Sequence, residues 1–117
     1  MLGGIQIALT GMQAASRMAG VSAHNIANIP TEGFKRMRAI PEEQGAGGVR
    51  ITVEQDPTTG PTHFLSSEDG AAIGEGANVD LTEELTHTLQ ATQLFKANVA
   101  SLGAQDKTLG TLLDIIE

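Results

Sequence analysis

The chain reads as mainly α, with an N-terminal helix and a longer C-terminal helix forming an antiparallel coiled-coil hairpin. A short, β-hairpin-like and partly flexible middle segment joins them. Three observations predict this. Apolar and small residues recur at alternating four- and three-residue steps near the start, a similar stripe returns between Asn78 and Glu117, and the intervening composition turns to Gly, Pro, Thr and acids. The expected organisation is one structural domain. Residues 1–38 give the first helix and its closing turn, 39–78 the connector and 79–117 the second helix.

The first stripe runs Ile5, Leu9, Met12, Ser16, Ala19, Ala23 and Ile26. Ala8, Ala15 and Ser22 widen it to about three positions per heptad, the pattern of a helix packed into a bundle. Gly3, Gly4, Gly11 and Gly20 oppose the helix by roughly 1 kcal/mol each relative to Ala, so packing must supply what propensity lacks. A stop is expected near Asn28. Pro30 disfavours helical dihedrals at Ile29, Asn accepts the left-handed conformation at a helix end, and Gly33 permits a tight reversal. Asn25 and Asn28 read either as helix-end and turn chemistry or as amides that bond a neighbouring subunit.

In the middle, residues 42–48 read as a loop, and residues 49–54 alternate apolar with polar as a half-buried strand does. Residues 56–61 carry turn chemistry. Residues 62–65 are the expected returning strand of a hairpin, followed by a Gly/Ala-rich acidic stretch from Ser66 to Asn78. A hairpin alone is marginal in water, so it must lean on the helices or on another subunit, or stay mobile.

The C-terminal helix is expected to open at Asp80, with Asp80 as N-cap and Glu83 reaching back in a capping box. Its seam runs Leu81, Leu85, Thr88, Thr92, Phe95, Val99, Leu102, Asp106, Leu109, Leu113 and Ile116, a rod of roughly 50 Å at 1.5 Å per residue. Thr88 and Thr92 can bond their own backbone. Asp106 either lies at the edge or sets register through a partner such as Lys107, Arg17 or a neighbouring chain. Gly103 and Gly110 either admit another helix closely or loosen the end.

Composition narrows the function classes. There are 117 residues, three Phe and no Trp or Tyr, so a large aromatic core is not expected. The net charge of −7 is uneven. The first 38 residues set Arg17, Lys35, Arg36 and Arg38 against Glu32 alone, and the acids dominate thereafter, which makes nucleic acid a poor partner. The Lys35-Arg36-x-Arg38 cluster reads as a solvated turn, with a phosphate or acidic-partner site as the sharper alternative. Without Cys there is no disulfide or thiolate metal site to propose. No stretch reaches the ~18 apolar residues of a membrane span. His24, His63 and His87 are scattered without metal-ligand spacing, and Gly45-x-Gly47-Gly48 lacks the Lys of a phosphate loop. With the acids expected on exposed faces or in loops, no catalytic residue, metal, cofactor or small-molecule substrate is nominated.

Asn25-Ile26-Ala27-Asn28 followed by Thr31-x-Gly33-Phe34-Lys35-Arg36 resembles the N-terminal signature of bacterial flagellar rod and hook proteins. Asn78 to Leu85, with Phe95-Lys96-Ala97-Asn98 and Thr108 to Ile115, resembles the closing helix of the same family. His24 stands where many members have Asn, and Phe95 where Tyr is common. The middle of about forty residues is closest to the short proximal rod proteins. The resemblance implies a non-enzymatic structural subunit of the basal-body rod, exported without a cleaved signal peptide. Such a subunit self-assembles through its terminal helices into the axial tube that transmits torque. Its implied partners are other copies, other rod or hook-basal-body proteins and the flagellar export machinery. The expected assembly interface is Ile5, Leu9, Met12, Ala19, Ile26, Leu81, Leu85, Phe95, Val99, Leu102, Leu109 and Leu113. A non-polymerising coiled-coil adaptor that binds one helical partner is the competing reading of the same stripes.

Overall fold

The computed structural model describes residues 2–116. Helix α1 spans Leu2–Ala27 and helix α2 Leu81–Ile116; between them lie strands β1 (Met37–Glu43), β2 (Val49–Gln55), β3 (Thr62–Ser67) and β4 (Gly70–Glu75). The molecule is elongated, 83 × 24 × 16 Å. Mainly α is the right class, with two small antiparallel hairpins, β1–β2 and β3–β4, inserted between the helices. The end of the expected stripe at Glu117 lies outside the described residues.

The helices run antiparallel, and their contacts step by heptads. A side chain at Gly4 would collide with the Gln105 amide, and one at Gly11 with the Asn98 amide. Seven residues forward on α1 are therefore seven back on α2. Two further such steps bring Asn25 to Glu84, whose Oε1 accepts from Asn25 Nδ2 at 3.0 Å. Burial follows this register. Ala15 and Ala91 are each 1% exposed, and Ala8, Ala14, Ser22, Asn25 and Glu84 are buried with them. Gly4 and Gly11 lower helix propensity, yet they make room for amides across the interface.

This register corrects the expected seam. On α1 the buried row is the widening row, Ala8, Ala15 and Ser22, while Leu9 is 47% exposed. On α2 the expected row Leu85, Thr92, Val99 and Asp106 is exposed, and the row one residue earlier, Glu84, Ala91, Asn98 and Gln105, faces α1. Close helix approach selects small and amide-bearing residues at the centre, so the larger apolar ones are turned outward. Asp106 lies on that exposed row and forms no ion pair with Lys107 or Arg17 among the described residues. Thr88 and Thr92 donate to the carbonyls of Glu84 and Thr88 at 3.0 and 2.9 Å, as expected.

The strand pairing also departs from expectation. Residues 49–54 do form a strand, but β2 pairs with β1, Met37 opposite Gln55 and Glu43 opposite Val49. Residues 62–65 belong to a separate hairpin in which Phe64 faces Ile73. Pro41 hid β1 from a propensity reading; a two-stranded ribbon has a free edge on each strand, where Pro is tolerated. The first hairpin lies along α1, with Val49 N–H donating to Thr10 Oγ1 at 3.2 Å and the Gly47–Gly48 turn against Ile7 and Thr10.

Candidate functional site

Two features stand out: a polar junction where both helices and both hairpins meet, and the apolar surface that the junction leaves open. The junction is built by the segment after α1. Helix α1 ends at Ala27, and Asn28 caps it by donating from Nδ2 to the His24 carbonyl at 2.9 Å. No non-glycine residue among those described has positive φ, so the left-handed conformation expected of Asn28 falls to Gly33, at φ 66°. Thr31 donates from Oγ1 to Asn28 Oδ1 at 3.2 Å, and Phe34 packs edge-on against His24 with ring centroids 5.6 Å apart.

Asn25 is the innermost residue of the corner, 0% exposed. Its amide accepts from Met37 N–H and donates to the Met37 carbonyl, both at 2.8 Å, while donating also to Glu84. Neither sequence reading describes it, because the amide is fully used inside the chain to join α1, β1 and α2. Ile26 is half-buried beside it and Ala27 is exposed.

Arg36 forms a second tie. Nε donates to Asp56 Oδ2 at 3.0 Å, Nη1 to Glu83 Oε2 at 2.6 Å, and its backbone N–H to Asn78 Oδ1 at 2.6 Å. Asn78 Nδ2 in turn donates to the carbonyls of Asp56 and Thr58. Lys35 pairs with Glu75, and Gly33 N–H donates to the Glu75 carbonyl at 2.7 Å. The basic cluster is thus only partly a solvated one: Lys35 and Arg36 are engaged within the chain, and Arg38 is exposed. The expectation that the acids lie on exposed faces or in loops fails at Glu84, in α2 and 2% exposed, while Asp56 lies in a loop, though buried at 7% exposed. Asp80 caps α2 as expected, accepting from Glu83 N–H at 3.0 Å, but the Glu83 carboxylate turns to Arg36 instead of closing a capping box.

These contacts shift titration. Asp56 falls from 3.8 to about 2, held down first by the Thr58 backbone N–H, then by the Thr58 hydroxyl and Arg36. Glu75 is lowered by Lys35 and the Gly60 N–H, and Arg36 is raised by Glu83 and Asp56. A carboxyl whose folded pKa is depressed contributes stability that is whole above its unfolded value and lost as pH falls through the folded one. Urea unfolding should therefore show a plateau down to about pH 4 and a decline toward pH 2. Arg36→Gln should move the decline only partly upward, since Thr58 remains; an unchanged acid limb in both chains would exclude the junction as its source.

The open surface lies along α1, between Phe95 of α2 on one side and Met37 and Val53 of the first hairpin on the other. A groove of about 780 Å³ is lined by Leu9, Met12, Ser16, Gly20, Phe95 and neighbouring residues. Of the residues expected at an assembly interface, Leu81, Leu85, Phe95, Val99 and Leu113 are 48%, 50%, 39%, 44% and 66% exposed. Ile5, Met12, Ala19, Ile26, Leu102 and Leu109 are half-buried along the flanks of the contact. Past Gln105, α2 continues to Ile116 with Leu112, Leu113, Ile115 and Ile116 exposed. No helix is long and apolar enough to cross a membrane, and no group of three or more metal-ligating side chains occurs among the described residues.

Residues 71–115 match the family model described as flagellar basal body rod FlgEFG protein C-terminal. The match spans less than half of the chain and likens its C-terminal segment to that family. It takes in β4 and nearly all of α2, including Asn78, Asp80, Glu83 and Glu84 of the junction. The Asn25–Arg36 corner lies outside the matched span but is hydrogen-bonded to residues inside it.

Proposed function

We propose that the chain is a subunit of the flagellar basal-body rod, of the short proximal kind. It self-assembles through its terminal helices into the axial tube and is exported without a cleaved signal peptide. In this reading the two helices form a coiled-coil hairpin that packs against the hairpins of neighbouring copies and of other rod proteins. The observation that carries it is the outward row of α2. Leu81, Leu85, Val99 and Leu113 keep a heptad-compatible apolar face turned away from α1, and such a face is stabilised by covering it with another helix. A contact between different surfaces of successive copies repeats without closing and yields a tube or filament.

Sedimentation with circular dichroism over a concentration range, alone and after mixing with rod extract, tests this. Association with rising helix content supports it. A closed dimer or monomer indifferent to the extract rejects it in favour of the adaptor. Leu85→Glu with Val99→Glu should abolish association while changing unfolding stability by less than about 0.5 kcal/mol each, as exposed substitutions do. Association equal to that of the parent chain would remove α2's outward row from the interface.

A further inference from the structure

The second hairpin has no surface of its own to lie on. β3–β4 packs against neither helix nor the first hairpin, and meets the junction only at its base. Every residue of β3 is exposed, and the facing pair Phe64 and Ile73 are 82% and 72% exposed. A lone two-stranded hairpin is marginal in water. Its base is tied to the corner after α1 through Glu75, which receives Gly33 N–H and Lys35. From there it projects beyond the helix pair. The molecule is 83 Å long, whereas α2 accounts for roughly 54 Å of that.

We propose that this hairpin docks into the open groove of a second copy. Phe64 and Ile73 then lie against Leu9, Met12 and Phe95, and the turn at Glu68 and Asp69 meets Arg17 and Lys96. The inference rests on the rod reading and names one contact within it. Charge supports the choice of occupant. The turn carries two acids and no base, while Arg17 and Lys96 line the groove and its continuation, where no acid is found. None of these four side chains has an ion-pair partner among the described residues. Dimensions agree as well: a six-residue strand extends roughly 20 Å, and the groove from Leu9 to His24 runs roughly 22 Å along α1. The hairpin projects from one end and the groove lies along the side, so the contact is heterologous and propagates.

Two charge reversals on exposed positions test this with the full chain at low salt. Glu68→Lys with Asp69→Lys, and separately Arg17→Glu with Lys96→Glu, should each weaken self-association at least tenfold in sedimentation. An equimolar mixture of the two variants should regain it, since each reversed turn then meets a reversed groove and each native turn a native one. Phe64→Ser should weaken association without a charge change. If both reversed variants associate like the parent, or their mixture fails to recover, hairpin docking is overturned. In that case loss of association in the Leu85→Glu, Val99→Glu chain would leave the helix-packed rod reading intact. A parent chain that stays monomeric throughout, with and without rod extract, overturns both.

Discussion

Asn25→Ala should lower the unfolding free energy by about 3 kcal/mol, the largest effect expected of any single truncation in this chain. The side chain is fully buried and makes three hydrogen bonds, two to the backbone of Met37 and one to the buried Glu84 carboxylate. Removing it leaves a backbone N–H and carbonyl of β1 without their side-chain partner and strips a carboxylate of a donor in a site with little access to water. Urea unfolding followed by far-ultraviolet circular dichroism measures the loss. Asn28→Ala is the comparison, because its amide donates to one exposed carbonyl and accepts from the exposed Thr31 hydroxyl, and it should cost less than about 1 kcal/mol. Equal losses at the two positions would mean that the corner is held by helix termination alone.

Gly60→Ala should cost about 2 kcal/mol, the middle of the range for forcing extra atoms into a filled space. A Cβ there would run into the Gly76 carbonyl oxygen, which is backbone and cannot swing aside. Gly76 is itself fixed by its N–H bond to the Pro61 carbonyl at 2.8 Å, and Gly60 N–H donates to Glu75 at 2.9 Å. The clash should therefore loosen the base of β3–β4, so proteolysis within residues 62–75 should accelerate along with the loss of stability. Gly103→Ala is the control. Nothing lies within 4 Å of a Cβ at that position, and replacing Gly by Ala in a helix interior should add up to about 1 kcal/mol. If the two substitutions behaved alike, the close approach at Gly60 would not be what secures the hairpin.

The junction shows why parts of the site were legible and parts were not. The turn after Asn28, the N-cap at Asp80 and the backbone bonds of Thr88 and Thr92 are local. Each depends on residues within a few positions, so residue type and spacing predict them. The bonds from Asn25 to Met37 and Glu84, and from Arg36 to Asp56, Asn78 and Glu83, join residues far apart in the chain. A lone Asn or Arg carries no mark of which distant group it will meet. A buried Glu84 is equally silent in sequence, because its burial follows from the rotation of α2 about its axis.

That rotation separates what the sequence by itself determined from what the tertiary structure decided. The sequence determined two long amphipathic helices, where the first stops and the second starts, and a mixed connector between them, since these rest on periodicity and local chemistry. Only the tertiary structure decided which row of each stripe meets the other helix and which strand pairs with which. A stripe wider than one partner can be turned through a fraction of a turn at little cost in apolar contact. The deciding energies are close approach at Gly4, Gly11, Ala15 and Ala91 and the satisfaction of Asn25 and Glu84, terms that exist only once both helices are present.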